Sequence, residues 1–183
     1  MKQNGTKWIA YTAMGLALVV VAQYLGSLIP DIAVIFGPFS VKQLITGTLV
    51  NCILLVFTAK AGLASGAVIG VLSAFLAAFL GISQIVVAPA VAVGNALLCV
   101  VYSLLMKRAR LPFLKMHIPA MMLGAVVKCA FLWLVVPLIL AGAGLPEKQT
   151  AMLSIMFSWP QGVTALCGGL LSWPIIPRVS RDR

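Results

Sequence analysis

The chain has 183 residues, 62% of them hydrophobic and 9% charged, with a net charge of +10. Soluble domains carry about 25% charged residues, so the composition excludes a water-facing globular protein and makes the ~20-residue transmembrane helix the unit to look for. The positive balance does not describe a nucleic-acid binder, because the basic residues stand at the ends of apolar runs, as the positive-inside rule distributes them.

Six apolar segments follow in chain order, approximately 8–29, 40–58, 62–80, 86–106, 118–141 and 158–176. They predict an all-α membrane protein, a single domain over residues 1–183 built as a six-transmembrane-helix bundle with both termini cytoplasmic. The first run follows MKQNGTKW and continues without a clear small-x-small cleavage site, so it reads as a retained helix rather than a secretory signal. It carries Ala13 and Ala17 in AMGLA, with Gln23 and Tyr24 toward its far end. The connection LIPDIAVIFGPFS (28–40) is apolar in the middle and bracketed by Pro30 and Pro38.

The second segment places Gln43 near its outer end and Asn51 one to two turns deeper. In the third, Gly62, Gly66, Gly70, Ala74 and Ala78 recur every four residues, a ridge that lets a neighbouring helix approach closely. Asn95 falls near the middle of the fourth. The fifth contains GAVVKCAFLWLVVP, in which Lys128 has apolar neighbours on both sides and Trp133 lies just beyond. The connection GAGLPEKQTAMLSIMFSWPQ (142–161) predicts a short surface helix. After it Ser158 can cap the last span, Pro160 fits the first turn, and Trp159, Gln161 and Thr164 sit in or beside the outer turns.

With both termini inside, Lys2, Lys7, Lys60, Lys107, Arg108, Arg110, Lys115, Arg178, Arg181 and Arg183 fall on the cytoplasmic side. Lys42 and Lys148 fall on the other, and Lys128 is left in the membrane. At ~1.5 Å per residue Lys128 lies ~15 Å deep, about the midplane of a ~30 Å hydrocarbon core. The large amides are in the outer half or at the middle. Such asymmetry predicts a pocket opening outward; the alternative is a set of separate interhelical hydrogen bonds worth ~0.6 kcal/mol each.

What the sequence lacks is as informative. Its three acids, Asp31, Glu147 and Asp182, lie in loops or the tail, so no buried carboxylate relays protons. No G-x-x-x-x-G-K-[ST] loop binds ATP. The one histidine, His117, is placed at a cytoplasmic helix end, which leaves no metal centre and no Ser/His/Asp set. The four cysteines fall inside apolar runs, as small packing residues. The chain reads as a binder without catalytic machinery, cofactor or engine. For Lys128 three states stay open: a neutral amine, an amine bonded to backbone carbonyls, or one facing the anionic group of a ligand. The last is favoured, because ionisable residues inside membranes tend to be functional.

In size, span number and the AMGLA alanine pair, the chain resembles the substrate-binding S components of energy-coupling factor (ECF) transporters. QLITGTLVN, APAVAVGNALL and FSWPQGVTALCGG also resemble segments of members with no assigned substrate. The resemblance implies a subunit of the bacterial plasma membrane that captures a vitamin or related micronutrient from outside. It would then dock on a transmembrane coupling subunit driven by two cytoplasmic ATPases. Ala13 and Ala17 would meet the coupling subunit, and the connections 28–40 and 142–160 would gate the pocket. The candidate substrate-binding residues are Gln23, Tyr24, Gln43, Asn51, Asn95, Lys128, Trp133, Trp159, Gln161 and Thr164. Lys128 favours a carboxylate or phosphate on the solute, and Tyr24, Trp133 and Trp159 allow ring stacking. Two other readings compete: an accessory membrane assembly protein with no small ligand, and an autonomous uniporter or channel.

Overall fold

The structure, a computed structural model, describes residues 5–30, 34–36, 39–108 and 113–179. In chain order these form α1 (Gly5–Ser27), β1 (Val34–Phe36), β2 (Phe39–Ser40), α2 (Val41–Ala61), α3 (Leu63–Phe79), a 3-10 turn (Ile85–Val87), α4 (Ala88–Arg108), α5 (Phe113–Gly142), α6 (Glu147–Met156), α7 (Trp159–Ser172) and α8 (Ile175–Val179). Lys2, Asp31, Pro38, Arg110, Arg181, Asp182 and Arg183 lie outside the described residues.

The protein is helical, as its apolar runs require, with one small addition. Inside the 28–40 connection β1 and β2 pair antiparallel, Val34 with Ser40 and Phe36 with Phe39. Ser40 then caps α2, its hydroxyl accepting from the Gln43 N–H at 3.2 Å. The expected surface helix before the last span is α6.

Four helical stretches are long and apolar enough to cross a membrane: Gly5–Ser27, Val41–Ala61, Ile85–Arg108 and Lys115–Gly142. The expected count of six is not met by length. The third segment forms a 17-residue apolar helix. The last stops after 14 residues at Ser172, about 21 Å at 1.5 Å per residue. Pro174 accounts for that stop: Trp173 is still helical and bonds the Leu170 carbonyl, but proline has no N–H with which to continue the ladder. The small-residue ridge also needs a correction at its first member. Gly62 is the joint between α2 and α3, at φ +94° and ψ 171°, a conformation essentially confined to glycine.

Close approaches set the helix directions. Gly26 abuts Thr46 and Gly15 abuts Phe57, so α1 and α2 run antiparallel. Gly124 against Leu98 and Gly94 against Leu132 do the same for α4 and α5, as Gly162 against Cys129 and Gly169 against Met121 do for α5 and α7. The bundle therefore has two ends. One carries the β1–β2 hairpin and α6; the other carries α8, where Lys60 both donates to the Val179 carbonyl and stands over the Tyr11 ring.

Three apolar clusters fill the interior. Leu132, Val136 and Leu140 of α5 meet Leu153 and Phe157 at the hairpin end. Leu55, Leu98, Tyr102, Met121 and Ile176 meet toward the α8 end. Val19, Leu54, Phe57, Ile69 and Cys99 join α1 to α2, α3 and α4. Gly66, Gly70 and Ala74 are buried, with Gly66 against Thr58 and Gly70 against Asn95, so this part of the ridge packs inside the molecule. All four cysteines are free, Cys52 and Cys99 buried.

Candidate functional site: an amine held by two asparagines

Lys128 is 2% exposed, and its Nζ donates to Asn51 Oδ1 and Asn95 Oδ1, each at 2.7 Å. The three residues come from α5, α2 and α4. Depth counting along straight helices brings them to one level, and that level is the middle of the bundle. The sequence reading looked for an anionic partner and, finding no acid, left Lys128 without one in its own chain. The correction is that two neutral amides supply the acceptors.

Each asparagine is held in turn. Asn51 Nδ2 donates to the Gly47 carbonyl at 2.8 Å and to Thr164 Oγ1 of α7 at 3.3 Å. Asn95 Nδ2 donates to the Gly70 carbonyl at 3.0 Å and to Ser73 Oγ at 3.2 Å, both on α3. Gln23 of α1 then donates to the Ser73 carbonyl at 2.9 Å. A single chain of polar contacts thus runs through α7, α2, α5, α4, α3 and α1. Its donors orient both asparagine oxygens toward the amine, fixing which end of each amide faces Lys128.

The other expected residues divide. Gln43 lies nearer the hairpin end, its Nε2 donating to the Met156 carbonyl at 2.8 Å and so tying α2 to the end of α6. Gln161 is half-buried in the first turn of α7 and makes none of the bonds to Lys128 or the asparagines. Trp159, 40% exposed, packs edge-on against Phe39 with ring centroids 5.2 Å apart. Tyr24 and Trp133 are 58% and 64% exposed and point away from the network. Ala13 and Ala17 are also exposed, because α1 packs inward through Thr12, Gly15, Val19, Ala22, Gln23 and Gly26.

Four buried oxygens have no partner among the described residues: Gln23 Oε1, Gln43 Oε1, Thr46 Oγ1 and Thr48 Oγ1. All belong to the last turns of α1 or the first half of α2, toward the hairpin end. Two hollows are defined by their walls. One of about 310 Å³ lies between Leu44, Ile45, Thr48, Leu49 and Cys167. The other, about 440 Å³, lies at the α8 end. Neither is lined by any candidate substrate-binding residue.

Sequence reasoning passed over Ser73, which stands next to Ala74 of the small-residue ridge; its spacing of three from Gly70 was the available signal. It also placed His117 at a helix end, where the structure buries it completely. His117 Nδ1 pairs with the Tyr102 hydroxyl at 2.9 Å and Nε2 with the Gly169 carbonyl at 3.0 Å. Nε2 therefore carries the proton, and Tyr102 donates to Nδ1. No group of three or more His, Cys, Asp or Glu able to hold a metal occurs among the described residues. Compared with family models, curated proteins and solved structures, the chain matches none.

Proposed function

We propose that this chain is the solute-binding membrane subunit of an ECF-type importer. In this reading it captures a vitamin or related micronutrient on the outer side of a bacterial plasma membrane and delivers it through a coupling subunit powered by two separate ATPases. The observation that carries the reading is the Lys128 amine, buried at mid-bundle and bonded to neutral amides. A neutral amine has two N–H groups and an ammonium three. Two amide oxygens leave the third donor of the ammonium form for the carboxylate or phosphate of a solute. The orphan oxygens of Gln23, Gln43, Thr46 and Thr48 offer further polar contacts between the amine and the hairpin end.

The remaining features fit that division of labour. The 17-residue α3, and α7 continued by α8, complete six crossings if the last is broken at Pro174. Lys60, Lys107, Arg108, Lys115 and Arg178 would make the α8 end cytoplasmic. Ala13 and Ala17 on the outer face of α1 give a coupling subunit a smooth surface for close helix contact.

A purified sample in detergent, heated with each member of a water-soluble vitamin panel, tests this. A solute at 100 times its Kd stabilises by about 2.7 kcal/mol, and at least one anionic member is expected to do so. One observation favours a second reading: for a neutral amine the two asparagine oxygens use both N–H groups of Lys128, which suits an assembly protein without a ligand. Verified folded protein that responds to no member of the panel supports that second reading. Uptake by the chain alone in proteoliposomes would instead indicate an autonomous uniporter.

The alanine face gives a separate test. Ala13→Leu/Ala17→Leu is expected to leave stability within about 0.5 kcal/mol, as for surface sites, and to keep solute binding. Co-purification of the coupling subunit and ATPases should be lost. A variant that retains its partners, or that loses solute binding, removes this face as the docking surface.

A further inference from the structure

We infer that the hollow at the α8 end binds the phosphate headgroup of an anionic membrane lipid. It measures about 440 Å³, within the ~300–1,000 Å³ usual for small-molecule sites. Its walls come from α2, α4, α5 and the start of α8, and they divide by chemistry. Met106, Phe113 and Ile176 give an apolar side suited to glycerol and the first methylenes of an acyl chain. Ser103 and Lys107 give the polar side, one turn apart on α4.

Ser103 is 6% exposed, and its hydroxyl makes no hydrogen bond to any described residue. Ser103 lines the hollow, where its hydroxyl can donate to a phosphate oxygen. Tyr102, beside it, forms the floor, its own hydroxyl engaged by His117. Lys107 is exposed at the wall and brings a cation within reach of the same space.

Charge selects the headgroup. Arg178 follows the wall residue Pro177, and Arg108 follows Lys107. Among the described residues the one acid is Glu147, at the start of α6 beyond the far end of α5. A zwitterionic headgroup would bring its ammonium into this cationic rim, whereas an anionic one brings only phosphate and hydroxyls. Basic hollows between helix ends are where acidic headgroups bind in membrane proteins. The inference requires the membrane setting and is independent of the solute reading above.

The test uses the full chain in neutral detergent, with bound lipid counted by native mass spectrometry. Dioleoyl phosphatidylglycerol is expected to bind at least about fivefold tighter than dioleoyl phosphatidylcholine, the factor for roughly one Lys–headgroup interaction. Lys107→Gln should reduce that preference by about fivefold, and Ser103→Ala should weaken binding of both lipids by about fivefold, with thermal stability measured alongside to show folded protein. Lys148→Gln, at the other end, should leave it unchanged. Equal binding of the two lipids overturns the inference. So does an equal loss in Lys107→Gln and Lys148→Gln, which would reflect net charge alone. Glycerol 3-phosphate competing as well as the intact lipid would make the hollow a soluble-phosphate site and also overturn the lipid assignment.

Discussion

Asn95→Leu is expected to lower the stability of the detergent-solubilised protein by about 1–3 kcal/mol, the cost of leaving a buried polar group unpaired. The substitution takes one acceptor from the Lys128 amine and also strips donors from the Gly70 carbonyl and Ser73 Oγ. Lys128→Met should cost a similar amount for the complementary reason: its stem volume is kept, but Asn51 Oδ1 and Asn95 Oδ1 both lose their donor. Membrane reference states soften such penalties, because polar groups of the unfolded chain also find partners, and single interhelical hydrogen bonds average about 0.6 kcal/mol. The decisive quantity is therefore the coupling. The triple variant Lys128→Met/Asn51→Leu/Asn95→Leu removes donor and acceptors together and should be more stable than the sum of the three singles by more than about 1 kcal/mol. Thermal or SDS unfolding of the four variants measures it. Additive losses would mean that the three side chains do not act as one unit.

Gly168→Ala is the second substitution with a large expected effect. A Cβ there would lie 2.7 Å from Asn51 Cβ, 2.7 Å from the Thr48 carbonyl oxygen and 2.8 Å from the Cys52 nitrogen. Two of those neighbours are backbone of α2 and cannot rotate away, so α7 must move as a body. Overpacking of this kind costs about 1–3 kcal/mol. It also lifts Thr164 from Asn51 Nδ2, loosening one support of the amine. Gly142→Ala is the matched control, since nothing lies within 4 Å of a Cβ at that position. If the two variants melt together, α2 and α7 do not meet as described.

How far the sequence led depends on which coordinate is asked for. The existence of the helices was legible, because a run of twenty apolar residues has few alternatives. Axial depth was legible too: a fixed rise per residue put Asn51, Asn95 and Lys128 at one level, and they meet there. Azimuth was not. In a helix apolar on every side, hydropathy does not separate a face toward the bundle from one toward lipid, so Tyr24 and Trp133 were counted with the site although both face outward. For the same reason the outward position of Ala13 and Ala17 came only from the packing of Thr12, Gly15 and Val19 beside them. Helix ends were set by single residues whose effect composition hides. Gly62 turned the start of a supposed ridge into a joint, and Pro174 shortened the last helix. The partner of Lys128 was missed because the search was for charge, whereas in a dry interior an amide oxygen oriented by its own Nδ2 contacts serves as an acceptor.

The central claim is that the Lys128 amine, held ready by Asn51 and Asn95, receives the anionic group of a solute. Isothermal titration of the vitamin that stabilises the wild-type protein, repeated with Lys128→Met shown to be folded, tests it most directly. The account predicts a loss of about 2–5 kcal/mol in binding free energy, the cost of truncating a buried charge partner. Unchanged affinity in Lys128→Met would contradict it.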